Sequence, residues 1–405
     1  MNNINFDDKL YNILNGNEKL LKFFINNGLD QLKNEKMLKT MGKIVTLDMA
    51  LKVKGINKKS FKEKLDMFFS NEQQEADITL AEKDTIEGDI IVKGVLPCPI
   101  KVPLLEAFDN FSKEQREKGL NIGYDLRSAN LGINWIEDDF KNNDFDKIAD
   151  VFVSAGFELF FDKEYIGKYM NEEKFKINIE KINEDFDNEK ISLKDLKNRY
   201  HIISVVPCVF LVNENNLNGR DVPLSWEKLL FSGEYDDSVA IPLGDLDMFN
   251  AIMVNIYAKW GENGIKALAR IYKKSLHPAE MVKKNGNQKN NPVVNISPYF
   301  FTQMIGKNSA LKVIWPQDGA LVSPIFLVAK KDKKNIETII DFFTNVETGN
   351  ILSANGKFPT TIYGVDNNLD ESQNFLFCGW DFIHSNNIMD ILRKCENIFN
   401  SEILK

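Results

Sequence analysis

Residues 89–111 read DIIVKGVLPCPIKVPLLEAFDNF, and the large part of the chain is organised around them. An apolar run, Ile90, Ile91 and Val92 followed by Gly94, Val95 and Leu96, breaks at Pro97-Cys98-Pro99 and resumes at Val102 with helical spacing. The order is strand, tight loop, helix start. Pro103 falls near the expected first turn, where a missing N–H costs nothing, and Leu104, Leu105, Phe108 and Phe111 recur at about the helical period. A helix entered from a strand in this way aims its first N–H groups, and the positive end of its dipole, at the loop. An anionic or carbonyl-bearing ligand suits that loop, although any strand-to-helix unit shares the pattern.

Downstream the pattern alternates strands and helices, as an α/β architecture with helices flanking a mainly parallel sheet requires. Strands are expected at 120–126, 149–153, 205–212, 239–243 and 291–296, with two extended runs around Pro-Gln-Asp-Gly within 311–330. Helical patterns cover 166–196, 246–268, 335–344 and 388–399. Ser225 is placed to cap a helix, and Ser297-Pro298 reads as a helix start, since Ser caps and Pro suits the first turn.

Upstream, residues 1–70 read as a small helical unit. Asn17 is placed to cap a helix over 18–25 with Gly28 beyond its end, and Thr46 to cap 47–54 with Gly55 as the stop. A last helix is expected over 58–69. Residues 71–88 are acidic and polar and read as a linker.

Composition narrows the function. The chain has 405 residues, 43% of them hydrophobic, enough for two or three folding units. A formal net charge of −8 and the lack of a basic block argue against nucleic acid as a partner. No apolar run is long enough to span a membrane and no signal-like segment opens the sequence, so a cytoplasmic protein is expected. Four scattered cysteines, Cys98, Cys208, Cys378 and Cys395, form neither a disulfide framework nor a CxxC metal site. Hydrolase elbows, zincin helices and phosphate or dinucleotide loops are absent, so no enzyme chemistry is expected.

Five blocks in order, GVLPCPIKVPLLEAF (94–108), IADVFVSAGFELFF (148–161), FLVNENNLNGRDVPLSWEKLLFSGEYDDSVAIPLGD (210–245), VIWPQDGALVSPIFLVAKK (313–331) and IIDFFTNVETGNILSANGKFPT (339–360), resemble the solute-binding proteins of ABC transporters. The likeness is to the two-lobed type 2 periplasmic-binding class that includes the ferric-iron binders. It implies a first lobe of 89–205 plus 315–405, a second lobe of 206–314, and a hinge at 205–212 and 313–324. Residues 6–70, with LLKFFINNGLDQL and MLKTMGKIVTLDMALKVKGIN, resemble a small helical domain of unknown function found near iron–sulfur repair and hybrid-cluster proteins, which implies a docking or dimerisation module.

If that fold is right, four strand-to-helix loops converge on an inter-lobe cleft: Pro97, Cys98 and Pro99; Ser154, Ala155 and Gly156; Gly244 and Asp245; and Asn295, Ser297 and Tyr299. Gln317 and Asp318 in the crossover turn are a fifth candidate. Each has a local alternative: Ser297 as a helix cap, 154–156 as a turn, Asp318-Gly319 as turn chemistry. Cys98 is either a small buried hydrophobe or a thiol activated by a helix N-terminus. Ferric members of the family use adjacent tyrosines in the second lobe, whereas Tyr299 here is followed by Phe300. His201, His277 and His384 read as solvated or capping residues. The expected ligand is a small polar or anionic solute, with an anion or metal ion as the cofactor class left open. The competing reading is a redox or metal-handling protein that uses Cys98 and docks an iron–sulfur partner through residues 1–70.

Overall fold

The computed structural model describes residues 4–26, 29–54, 56, 58, 61, 62, 65, 86–128, 133–141, 144–283, 291–307, 309–355 and 357–404. Two compact units emerge, Met1–Leu80 with Asn400–Lys405, and Ala81–Phe399.

The first unit holds helices α1 (Leu10–Leu14), α2 (Glu18–Asn26), α3 (Glu35–Thr40) and α4 (Leu47–Lys54). The expected caps form: Asn17 Oδ1 accepts the Leu20 amide at 3.0 Å, and Thr46 Oγ1 the Met49 amide at 3.2 Å. Leu14, Phe24, Leu47, Leu51 and Phe61 build a core, with Phe24 and Phe61 edge to face at 5.2 Å. Gly28, Gly55, most of the expected last helix and most of the linker lie outside the described residues.

The second unit is built on one mixed sheet. Its strands are β1 (Ile90–Leu96), β2 (Ile122–Ser128), β3 (Val151–Ala155), β4 (His201–Asn213), β5 (Val239–Ile241), β6 (Tyr272–Ser275), β7 (Val294–Pro298), β8 (Leu311–Ile314), β9 (Ala320–Ala329) and β10 (Phe375–Leu376). The order is β2-β1-β3-β9-β4-β7-β5-β6, with β8 beside β4 and β10 beside β9. β1, β2 and β3 are parallel, as are β5, β6 and β7. β9 runs antiparallel to both β3 and β4, and β4 antiparallel to β7. β4 and β9 are buried at every position, which is why their sequences are mostly apolar, broken by His201, Ser204, Asn213 and Ser323, rather than alternating. Gly94 is required where β1 meets β3, because a Cβ there would stand 2.2 Å from the Val153 carbonyl oxygen.

Helix α5 (Cys98–Glu117) follows β1, and Phe108 stacks on Phe343 at 5.3 Å while meeting Tyr124 edge-on at 5.1 Å. It starts earlier than its sequence suggests. The Pro97 carbonyl already accepts the Ile100 and Lys101 amides, Pro99 occupies the first turn, and Pro103 lies inside the helix, without an N–H to give to the Pro99 carbonyl. The expected helix over 166–196 also differs: helix covers only Gly167–Asn171, with a single turn at Glu184–Phe186. Side chains there capture the backbone instead. Asp195 accepts the amides of Lys197, Arg199 and Tyr200, and Asn183 accepts that of Asp185 while donating to the Val365 carbonyl.

Ser225 caps helix α6 (Trp226–Phe231) as expected, accepting the Lys228 amide. Helix α7 (Leu246–Ile271) is broken at Gly261, whose φ of 60° and ψ of −149° are not helical. Ser297 does not start a helix. It pairs with Val209 inside β7, and the strand continues to Pro298 before a 3₁₀ turn, Tyr299–Met304, that has no side-chain cap. Helices α8 (Ile336–Thr344) and α9 (Ile388–Ile403) complete the outer layer.

Candidate functional site

The sheet register sets two groups of strand ends against each other. Ala155, the end of β3, pairs with Ile325, which pairs with Ser204 of β4. Pro298, the end of β7, pairs with Cys208 four residues further along β4. Because β7 runs against β4 while β3 runs with it, the two strand ends point towards each other across the level of Val205, Val206 and Pro207, offset by about 13 Å along the strand direction at some 3.3 Å per residue. Parallel strands with helices leaving their C-terminal ends bind ligands at those ends. Here two such edges face one another, bridged by β4 and β9.

On the β3 side, Pro97, Cys98 and Pro99 form the β1-to-α5 junction, with Pro97 as cap and Cys98 as first helical residue. Ser154 and Ala155 are enclosed within β3, so Gly156 is the residue of that loop at the edge. Its φ is 75° and its amide donates to the Pro324 carbonyl at 2.8 Å. A Cβ on Gly156 would come within 3.0 Å of the Asp247 Cα and 3.1 Å of its Oδ1, so this loop rests directly on the start of α7. Asn250 Nδ2 donates to the Phe157 carbonyl at 3.4 Å, a second contact across the same seam.

The opposite edge carries Gly244 and Asp245 after β5, His277 after β6 and Tyr299 after β7. Asp245 caps α7 by accepting the Met248 amide, yet burial still holds its carboxyl above the usual range, opposed by that bond and by nearby His277. His277 Nδ1 accepts the Ala279 amide, which fixes a neutral tautomer with the proton on Nε2, and burial lowers its affinity for a second proton. Tyr299 meets Trp315 edge-on at 5.2 Å and lies under Lys357 Nζ at 5.6 Å, while Phe300 packs edge-on against Phe358 at 5.2 Å. Asn295 and Ser297 lie within β7, and the buried Asn295 Oδ1 lacks a hydrogen-bond partner.

Two residues escaped the sequence reading. Glu158, pushed by burial up to about 7, and Asp247, driven well above the usual range by burial and then by the charges of Glu158 and Asp245, place two carboxyls at the seam. The signal for Glu158 was present: it is the lone charge in VFVSAGFELFF (151–161). Asp318 is placed differently from the expectation, since Oδ1 accepts the Trp226 amide and Oδ2 the Glu227 amide, making it an external cap for α6. Gln317 is exposed beside it, its amide donating to the Leu224 carbonyl. Cys208, buried in β4, has its thiol pushed far up by burial and by Asp245, so it is no nucleophile. Among the described residues, no group of three or more His, Cys, Asp or Glu side chains is arranged to hold a metal ion.

Residues 146–386 match the model of a family described as bacterial extracellular solute-binding protein, which covers more than half of the chain. The chain belongs to that family. In this solute-binding protein, residues 4–61 match a second model, a domain of unknown function. Among curated proteins none matches it. Solved structures share its fold: a Trichodesmium protein in complex with iron and citrate ligands (TM-score 0.53, 14% identity, 76% of this chain and 98% of that one) and a Bordetella ferric binding protein (0.52, 13%, 77% and 98%). Iron-bound HitA from Pseudomonas aeruginosa is similar at the same level (0.52, 12%, 76% and 98%). The solute-binding protein thus has the α/β, two-lobed periplasmic-binding fold of type 2, preceded by helices. The family is described as extracellular, so it lends no support to a cytoplasmic location. No helix among the described residues is long and apolar enough to cross a membrane.

Proposed function

We propose that this protein captures a small polar or anionic solute, including one that carries a metal ion with it, between lobes formed by 89–205 with 315–405 and by 206–314. The lobes close by twisting β4 and β9. The opposed strand ends across Val205–Pro207 carry this reading, supported by the contact of Gly156 with Asp247 at the seam. The start of α5 offers the Cys98 N–H to an anionic or carbonyl oxygen, since Pro97 and Pro99 have none and the Ile100 and Lys101 amides turn back to the Pro97 carbonyl, and Tyr299 and Asp245 supply hydrogen bonds from the facing edge. Cys98 serves as a contact, and residues 1–70 as a module that docks a partner protein.

Native mass spectrometry of protein purified without denaturation is expected to show a mass excess that denaturing spectra lack. Gly156→Val, which places a side chain where Asp247 packs, is expected to weaken solute binding at least tenfold by blocking closure. A full-chain preparation without any adduct, and without thermal stabilisation by a panel of anions, metal chelates and small metabolites, would overturn the reading.

A further inference from the structure

Away from the facing strand ends, the larger unit has a second concavity. Its walls come from 161–171 after β3, from Arg199 and Tyr200 just before β4, and from 383–386 near the C-terminus, and its volume is about 70 Å³. That is a little over twice the ~30 Å³ that a water occupies in the liquid, so the pocket admits a small ion and excludes a sugar or a nucleotide. Tyr200 precedes Val206 by six residues, roughly 20 Å of strand, which sets the pocket apart from the strand ends described above. All three wall segments fall within 89–205 and 315–405, so the pocket forms without any movement of the proposed lobes.

A continuous set of hydrogen bonds holds these walls. Asp195 is the hub: Oδ1 accepts the Lys197 amide, and Oδ2 the amides of Arg199 and Tyr200. A carboxylate so supplied with donors is an acceptor, so His384 Nε2, 2.8 Å from Oδ1, donates to it. Trp380 stacks on the imidazole at 5.7 Å and on Tyr200 at 5.8 Å, which fixes the ring. The histidine expected from sequence to be solvated or capping is therefore the buried partner of an aspartate. Lys163 joins the same set, its Nζ donating to the His384 carbonyl at 3.0 Å and its amide to Asn387 Oδ1 at 3.2 Å.

What this pocket lacks is negative charge. Half-buried Arg199 brings five N–H donors, and among the described residues none of them meets an acceptor. The Lys163 ammonium has one donor committed and two to spare. Asp162, the carboxylate in the lining, is already engaged: Oδ1 accepts the Glu164 amide and the Asn387 side-chain amide, and Oδ2 faces Arg393 at 4.0 Å. Phe161, Ile166, Met170 and Ile383 supply buried apolar wall, against which a guanidinium loses hydration that only a partner can restore. An oxyanion accepts two parallel bonds from a guanidinium and a further one from an ammonium.

We propose that this pocket is a second ligand site, specific for a small oxyanion, a carboxylate or an inorganic phosphate, held by Arg199 and Lys163 beside the fixed imidazole of His384. The anion ties together three segments that are far apart in sequence. The site is separate from solute capture and does not depend on it.

The chain's three histidines provide the test, since His384 reports on this pocket, His277 on the edge after β6, and His201 on the interior of β4. In histidine-labelled full-length protein, with the His384 signal assigned by its loss in His384→Gln, phosphate or acetate at constant pH is expected to move the His384 imidazole resonances saturably. Chloride at matched ionic strength is expected to leave them in place. A stronger response to phosphate identifies an inorganic oxyanion, and a stronger response to acetate a carboxylate. Arg199→Met is expected to weaken the midpoint at least about tenfold, the ordinary worth of a charge-assisted hydrogen bond. Unchanged His201 and His277 signals show that this variant is folded. A wild-type His384 that ignores both anions, a chloride response of equal size, or an unaltered titration in Arg199→Met would overturn the site. Should Arg199→Met misfold, Lys163→Met must produce the same loss, and an unaltered titration there sinks the proposal. Movement confined to His277 removes the pocket and leaves capture standing, whereas movement confined to His384 establishes the pocket whatever becomes of capture.

Discussion

Asp318 sits in the turn Pro316-Gln317-Asp318-Gly319, whose sequence invites a role in binding, yet both its oxygens are committed to the first amides of α6. Asp318→Ala should therefore cost about 1–2 kcal/mol of stability, the usual loss for a cap, while leaving solute-induced stabilisation unchanged. Thermal unfolding with and without solute checks this, and a vanished solute shift would restore Asp318 to the cleft. Glu158 is the opposite case. A lone carboxylate in an apolar run is visible in the sequence, but its meaning comes from Asp247, a residue 89 positions away that only the finished sheet brings near. Ser297 shows a third way in which local signals mislead: Ser-Pro does favour a helix start, but its pairing with Val209 keeps it in the strand.

Among the elements, β1 and α5 were legible because period and loop chemistry agree, even though the helix begins at Cys98 rather than after it. The stretch 166–196 was not, since its apolar residues fall near helical spacing while Asn183 and Asp195 hold the backbone in turns. Helix α7 reads as one piece in sequence and is two in the fold, because Gly261 adopts a backbone geometry that L side chains rarely reach. Gly261→Ala is thus expected to destabilise the protein by roughly 1–3 kcal/mol, the cost of forcing a side chain into a sparsely populated region, despite the higher helix propensity of alanine. Chemical denaturation reads the change; a stabilised variant would show that the break is dispensable and that α7 straightens.

At the scale of the molecule, stability is expected to follow the protonation of His201, buried near the start of β4. Burial holds its pKa down to about 4 against 6.5 in the unfolded chain, so the folded form binds fewer protons. Its contribution is complete above pH 6.5 and is lost as pH falls towards 4, amounting to roughly 3 kcal/mol. Melting curves of the wild type and His201→Gln across this window should converge in acid; parallel curves would show that the imidazole finds a proton without unfolding. The two-lobed plan itself was legible from the order of five blocks, whereas the seam chemistry was not, because it joins residues on elements that share no local signal. The connection through β4 and β9 also sets a schedule for synthesis. β3, buried at all five positions and apolar at all but Ser154, has β9 as its neighbour, yet β9 leaves the ribosome roughly 165 residues later. At about 5–20 residues per second, β3 waits about 10–30 s with an open edge, so chaperone capture and misassembly of the nascent chain should concentrate at that strand until β9 emerges.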